Sequence, residues 1–304
     1  MTRPTHSGIV VGAHVLGGTH MYRKHLVAAS TLAVVALLAA ACTLPAPAER
    51  NWKVSPTSVK VIDQEDFDPG DEPYVIQLGF RSKLGVENSS SAFVVSQCRS
   101  RALPANDSGT PGTTLTIPAG SADVSFPATQ SLDLGDVLIG TAPLEIFGTL
   151  SFVMERDGVF VDSCAITDLL DNALTGVLAD ALDVLIAGSD VPPTQDELID
   201  LIVSNLGDLL SAIPGLIAAV LEGLGNPDDI LGIAAQIHLP TQGAFADLLN
   251  FGLAIAGFDQ GVIEIDDLPP TLRFRVGNLL PSQATFSFAG PGYEYEYTSS
   301  VIAG

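Results

Sequence analysis

Apolar and polar residues alternate along this chain with two different periods, and the switches between them divide it into three stretches. From Val59 to Cys164 the period is two. Ser58-Val59-Lys60-Val61-Ile62, Tyr74-Val75-Ile76-Gln77-Leu78-Gly79-Phe80-Arg81, Ala92-Phe93-Val94-Val95, Leu115-Thr116-Ile117 and Leu144 to Val153 are strand-like runs, separated by Gly, Pro, Asn and Ser clusters. Asp157-Gly158 between two further apolar triplets predicts a hairpin turn, which would join Phe152-Val153-Met154 to Val159-Phe160-Val161. From Ile166 the apolar residues fall at 166, 169, 170, 173, 174, 177, 178, 181, 182 and 185, one stripe of a helix. Asp168, Asp171, Asp180 and Asp183 lie off that stripe.

After Pro192-Pro193, Thr194-Gln195-Asp196-Glu197 has the form of a capping box, with Glu three residues after Thr. It predicts a helix through Leu198, Ile202, Leu206 and Leu209. Pro214-Gly215 should bend or end that helix, with a shorter one from Leu216 to Leu224. Asn226-Pro227-Asp228-Asp229 reads as another start, a cap followed by Pro at the first helical position. Ala244 to Ala256 is the last helical candidate. Period two returns at Val262-Ile263-Glu264-Ile265 and continues through Leu272 to Val276, Thr285 to Phe288 and Tyr293 to Tyr297.

The order strands, helices, strands predicts an α+β fold: an antiparallel β-sandwich or barrel-like domain with an inserted α-helical subdomain. The expected bounds are 57–165 for the first β half, 166–257 for the helical insertion and 258–304 for the second β half. The final strands alone would bury only one face and need the earlier ones as a partner layer.

Charge narrows the partners. The chain has 13 basic and 35 acidic residues, a net charge of −22. Arg3, Arg23 and Lys24 precede Cys42 with no acid among them, so the part from Cys42 onward carries −25. Such a surface repels phosphate backbones and anionic head groups, which argues against nucleic acid as a partner and against charge-driven membrane docking.

The basic cluster Arg23-Lys24-His25 is followed by the apolar run Leu26 to Ala41, which ends in Ala40-Ala41 directly before Cys42. A basic region, an apolar core and small residues at the cut are the layout of an export signal. A spanning helix needs about 20 apolar residues; this run is sixteen residues long. With Cys at the cut, the segment resembles the lipobox of bacterial lipoprotein precursors, although Ala39 stands where that family usually has Leu. The resemblance implies a signal peptide over 1–41; because Met1 to His20 has no charge pattern of its own and Met21 begins a signal of ordinary length, initiation is expected at Met21, with residues 1–20 untranslated. It also implies diacylglyceryl modification of Cys42, a tether over 42–56, and residence on the extracytoplasmic face of the cell membrane. The Ala-rich, acidic, Lys-poor composition is similar to that of actinobacterial envelope proteins. Each buried methylene contributes about 0.8 kcal/mol, so two acyl chains hold where one is marginal.

Assigning Cys42 to the lipid leaves Cys98 and Cys164, which an oxidising compartment would pair. That closure is worth up to about 4 kcal/mol.

Candidate chemistry is sparse. Past Cys42 the one histidine is His238, between Ile237 and Leu239, which reads as a satisfied structural residue. There is no Gly-x-Ser-x-Gly elbow, Walker loop or dinucleotide fingerprint. Asp107-Ser108-Gly109-Thr110 matches the aspartic-protease signature in letters, but it follows a loop and has no second copy, so it reads as a turn. The densest cluster is the loop 63–72, in which Asp63, Asp66, Asp68, Asp71 and Glu72, with Glu65, offer carboxylates of the kind Ca²⁺ takes in extracellular loops.

Three functions fit. The first is a non-enzymatic lipid-anchored envelope protein that binds a protein partner or serves a structural role. The second is a carrier of an apolar, lipid-like ligand in a helix-lined pocket. The third is a hydrolase built on carboxylates.

Overall fold

Strand β1 (Glu49–Asp63) organises the first of two sheets. Its N-terminal part pairs with β5 (Val124–Gln130) and its C-terminal part with β4 (Thr114–Thr116). The opposite edge pairs along most of its length with β11 (Tyr293–Ala303), which continues to β10 (Ser282–Gly290). The second sheet has the order β3 (Ser91–Ser96), β2 (Pro73–Lys83), β6 (Glu145–Glu155), β7 (Asp229–Leu239), β9 (Thr271–Asn278), β8 (Gln260–Glu264). All its pairs are antiparallel except β7–β9. This computed structural model describes residues 49–304 except 65–71, 85, 97–108, 140–141, 156–166, 169–170, 173–174, 177, 181, 183–193, 225–228 and 265–270.

The fold is α+β, two sheets packed face to face and not closed into a barrel. The first and last strands of the domain share one sheet, so the closing hairpin β10–β11 obtains the partner layer it lacks alone. The other face of the six-stranded sheet is covered by helices. They are α1 (Leu134–Ile139), the helical residues described between 167 and 182, α2 (Gln195–Leu224) and α3 (Gly243–Ala256).

Strand alternation explains the layering. On β2 the residues Ile76, Leu78 and Phe80 join Leu150, Phe152 and Met154 of β6 and Ile233, Ala235 and Ile237 of β7 in the helix-facing core. Leu198, Ile202, Leu206 and Leu210 of α2 complete it. Asp168, Asp171 and Asp180 are exposed while Leu178 and Leu182 are buried, as the helical stripe predicts. At the start of α2, the Thr194 hydroxyl donates to Glu197 Oε2 at 2.6 Å and accepts from the Glu197 N–H at 3.4 Å, so the predicted box forms.

Four expectations change. The start signal at 226–229 opens no helix: β7 runs from Asp229 to Leu239, and every residue from Leu231 to Leu239 is buried. A strand covered on both faces is a continuous apolar run, which periodicity does not separate from a buried helix. Both edges of Phe152-Val153-Met154 are taken, by β2 and β7, where a hairpin partner was expected; residues 157–161 of that expectation lie outside the described residues. The helix α2 continues through Pro214. A proline inside a helix costs about 3 kcal/mol, and the buried residues Leu209, Leu210 and Ile213 on the preceding turns hold it. Finally, residues 49–56, expected in the tether, are already sheet, with Trp52 and Val54 buried.

Two elements were not foreseen. Strand β5 is short and carries Pro127. Helix α1 is signalled only by Asp133, whose Oδ1 accepts from the Asp136 N–H at 2.9 Å while Asp136 Oδ2 accepts from the Asp133 N–H at 3.1 Å.

Candidate functional site

Cys42, Cys98 and Cys164 lie outside the described residues, as do Asp66, Asp68 and Asp71 of the acidic loop. The two ends of that loop are described. Asp63 closes β1 with an exposed carboxylate that accepts from the Gln64 N–H at 3.1 Å, and Glu72, partly exposed, directly precedes β2. Among the described residues no group of three or more His, Cys, Asp or Glu could hold a metal ion. Asp107 and Ser108 are also outside. Thr110 accepts from the Thr113 N–H at 2.9 Å through its carbonyl, so the described half of that motif is a turn.

The polar chemistry of the described domain is concentrated between the two sheets. The strands that supply Ile, Leu and Phe to the helix-facing core turn Gln77, Thr149, Ser151 and Gln236 the other way, all buried. Gln77 Nε2 donates to the Ala122 carbonyl at 2.6 Å, Ser151 Oγ to Gln77 Oε1 at 3.2 Å, and Tyr297 OH to Ser151 Oγ at 3.1 Å. Ser299 Oγ, from the same strand as Tyr297, donates to Gln236 Oε1 at 2.9 Å. Burial pushes the Tyr297 phenol far above its ordinary range, against the pull of its hydrogen bonds with Ser151 and Ser299. It stays protonated and serves as a donor. This layer separates two apolar clusters, one around Phe286, Phe288 and Tyr295, the other around Trp52, Phe126 and Phe147.

At the second cluster the ring of His238 lies 5.6 Å from that of Phe147, which is 4.4 Å from Phe126. His238 is buried, and its Nε2 has no hydrogen-bond partner among the described residues. At that nitrogen the expectation of a satisfied histidine is not met among the described residues. Burial, and secondarily the positive charge of Arg275, lower its pKa to about 4, so it is neutral near pH 7. Nearby on β2 and β6, Arg81 pairs with Glu145, whose carboxyl is raised by burial and pulled back by Arg81. Arg81 also donates to the Pro127 carbonyl at 3.3 Å, tying the two sheets.

Sequence reading missed this layer, although its signal is present: Gln77, Ser151 and Gln236 are single polar residues inside otherwise apolar runs. Among the described residues no helix is long and apolar enough to cross a membrane. Comparison with protein-family models, curated proteins and solved structures yields no match.

Proposed function

We propose that this is a lipid-anchored protein of the extracytoplasmic face of a bacterial cell membrane, without enzymatic activity, that engages a protein partner of the envelope. The observation that carries the reading is Cys42, set directly after a basic cluster and a sixteen-residue stretch that is apolar except at Ser30 and Thr31 and ends in small side chains. The strongly acidic body supports it, since charge offers no second route to anionic lipid and the acyl chains would be the attachment.

Packing weighs for partner binding over ligand carriage. A carrier would use space between α2 and the sheet, and that layer is occupied by Leu198, Ile202, Leu206, Leu209, Leu210 and Ile213, each at most 2 % exposed. The interior polar groups of Gln77, Ser151, Gln236 and Ser299 are engaged with one another, which is the behaviour of structural residues.

The test is Cys42→Ser in the full-length chain, followed by membrane fractionation and intact-mass measurement. The expected result is loss of the acyl mass and transfer to the soluble fraction. Retention in the membrane fraction would overturn the reading.

A further inference from the structure

The two sheets are unequal in width, and the wider one is left uncovered on one side. Strand β10 sits over β7, where Phe288 packs so closely on Gly232 that a Cβ there would lie 2.1 Å from its ring. Beyond β7 the six-stranded sheet continues through β9 and β8. On those strands Arg273 lies beside Ala234 and Arg275 beside Gln236, so both point to the sandwich side. Val262 and Gln260 of β8 stand next to them on that side. The ledge lies beside the rim of β10. Val262 is 50 % exposed, Arg275 and Gln260 are exposed, and Arg273 Nε is enclosed with no hydrogen-bond partner among the described residues.

The rim itself is an open strand edge. Arg275 donates to the Gln283 carbonyl at 3.4 Å from the side away from β11, which identifies the outward-pointing set as Gln283, Thr285, Ser287 and Ala289. Strand β3, at the far edge of the wider sheet, has six residues, and three further edges are short or interrupted. Strand β4 has three residues and β8 five, while β5 carries Pro127 and Ala128 at φ 52° beside a register shift. In contrast, β10 runs nine residues without a register shift, a charge or a proline.

We propose that this ledge is a docking site for an extended segment of a partner protein. The segment adds a strand to β10 and turns acidic side chains down onto Arg273 and Arg275. Charge selects the occupant: in a chain of net charge −22, exposed Arg275 and half-buried Arg273 share one face of the overhang. A second copy of the chain is disfavoured, because pairing β10 to β10 would drive the two β9–β8 overhangs into the same space. The added strand pairs with Thr285, Ser287 and Ala289 and completes the narrower sheet over the wider one. This inference rests on the partner-binding reading and deepens it by naming the surface and the chemistry of the partner.

The test uses the whole mature chain and two nine-residue peptides that alternate Thr with Glu or Thr with Lys. Binding is read by fluorescence anisotropy, and the site by amide exchange. The Glu peptide should bind at least tenfold more tightly than the Lys peptide and slow exchange at Thr285, Ser287 and Ala289. Arg273→Glu with Arg275→Glu should reverse the preference. Ser287→Pro, which removes one outward N–H, should weaken binding at least tenfold with the Tm unchanged. No binding of the Glu peptide, equal binding of both peptides, protection elsewhere, or a dimer in place of a peptide complex would each overturn the proposal. The membrane-anchor reading would stand or fall separately on Cys42→Ser.

Discussion

The two faces of the six-stranded sheet are built from the same strands and solve burial in different ways. On the helix side Ile76, Leu150, Phe152, Ile233 and Ile237 need only volume and shape. One residue along each strand, Gln77, Thr149, Ser151 and Gln236 are just as buried but need partners at defined angles. The apolar face supplies most of the stabilisation through area removed from water. The polar face ties one sheet to the other in a particular register, because Tyr297 reaches Ser151 and Ser299 reaches Gln236 only when the sheets are aligned as they are.

The sharpest contrast comes from truncation on the helix side. Phe152→Ala should cost about 3–5 kcal/mol, transfer plus cavity, read as a lowered urea midpoint at unchanged m. If it cost less than Ser151→Ala, the apolar face would not be the main source of stability.

Acid should come next, acting on the sandwich side. The folded pKa of His238 lies at about 4, below the ordinary 6.5, so the unfolded chain binds the extra proton between those values. The stability from keeping it neutral is complete above pH 6.5 and lost as pH falls to 4, about 3 kcal/mol in all. Glu145, whose folded pKa is raised, works in the opposite sense and adds stability as pH falls through its folded value. The difference between wild type and His238→Phe, followed by urea titration from pH 7 to 4, isolates the histidine. A pH-independent difference would remove His238 from the account.

Ser151→Ala breaks the chain at its centre and leaves Gln77 Oε1 and the Tyr297 hydroxyl without the partner they share. The expected loss is about 1–3 kcal/mol. The smallest effect has the other sign. Thr149 is buried with its hydroxyl unpartnered among the described residues, so the near-isosteric Thr149→Val should gain about 1 kcal/mol. A loss there would mean that the hydroxyl is satisfied, for instance by an internal water.

Much of this architecture was legible from local pattern. The alternation at Tyr74–Arg81 and Tyr293–Tyr297, the stripe at 166–185 and the Thr194–Glu197 box all became the expected elements in the residues described. Legibility failed where an element is covered on every side, as in β7, or where packing overrides a local signal, as at Pro214. The polar layer was hidden for a different reason. A lone Gln or Ser in an apolar strand looks like a solvent-facing position until a second sheet is placed over it.

What the sequence by itself determined is the α+β class, most strands at both ends of the domain, the acidic character, and the basic cluster and apolar run before Cys42 on which the proposed anchor rests. These rest on short-range periods and on composition, both of which are properties of neighbouring residues. Tertiary structure decided that the strands from the two ends of the domain would share a sheet. It also decided that Gln77, Ser151 and Tyr297 would meet, and that half-buried Arg273 and exposed Arg275 would lie side by side next to the open edge of β10. Those outcomes depend on which strands become neighbours and on how wide each sheet grows. Contacts between residues 146 or 241 positions apart leave no trace in local pattern.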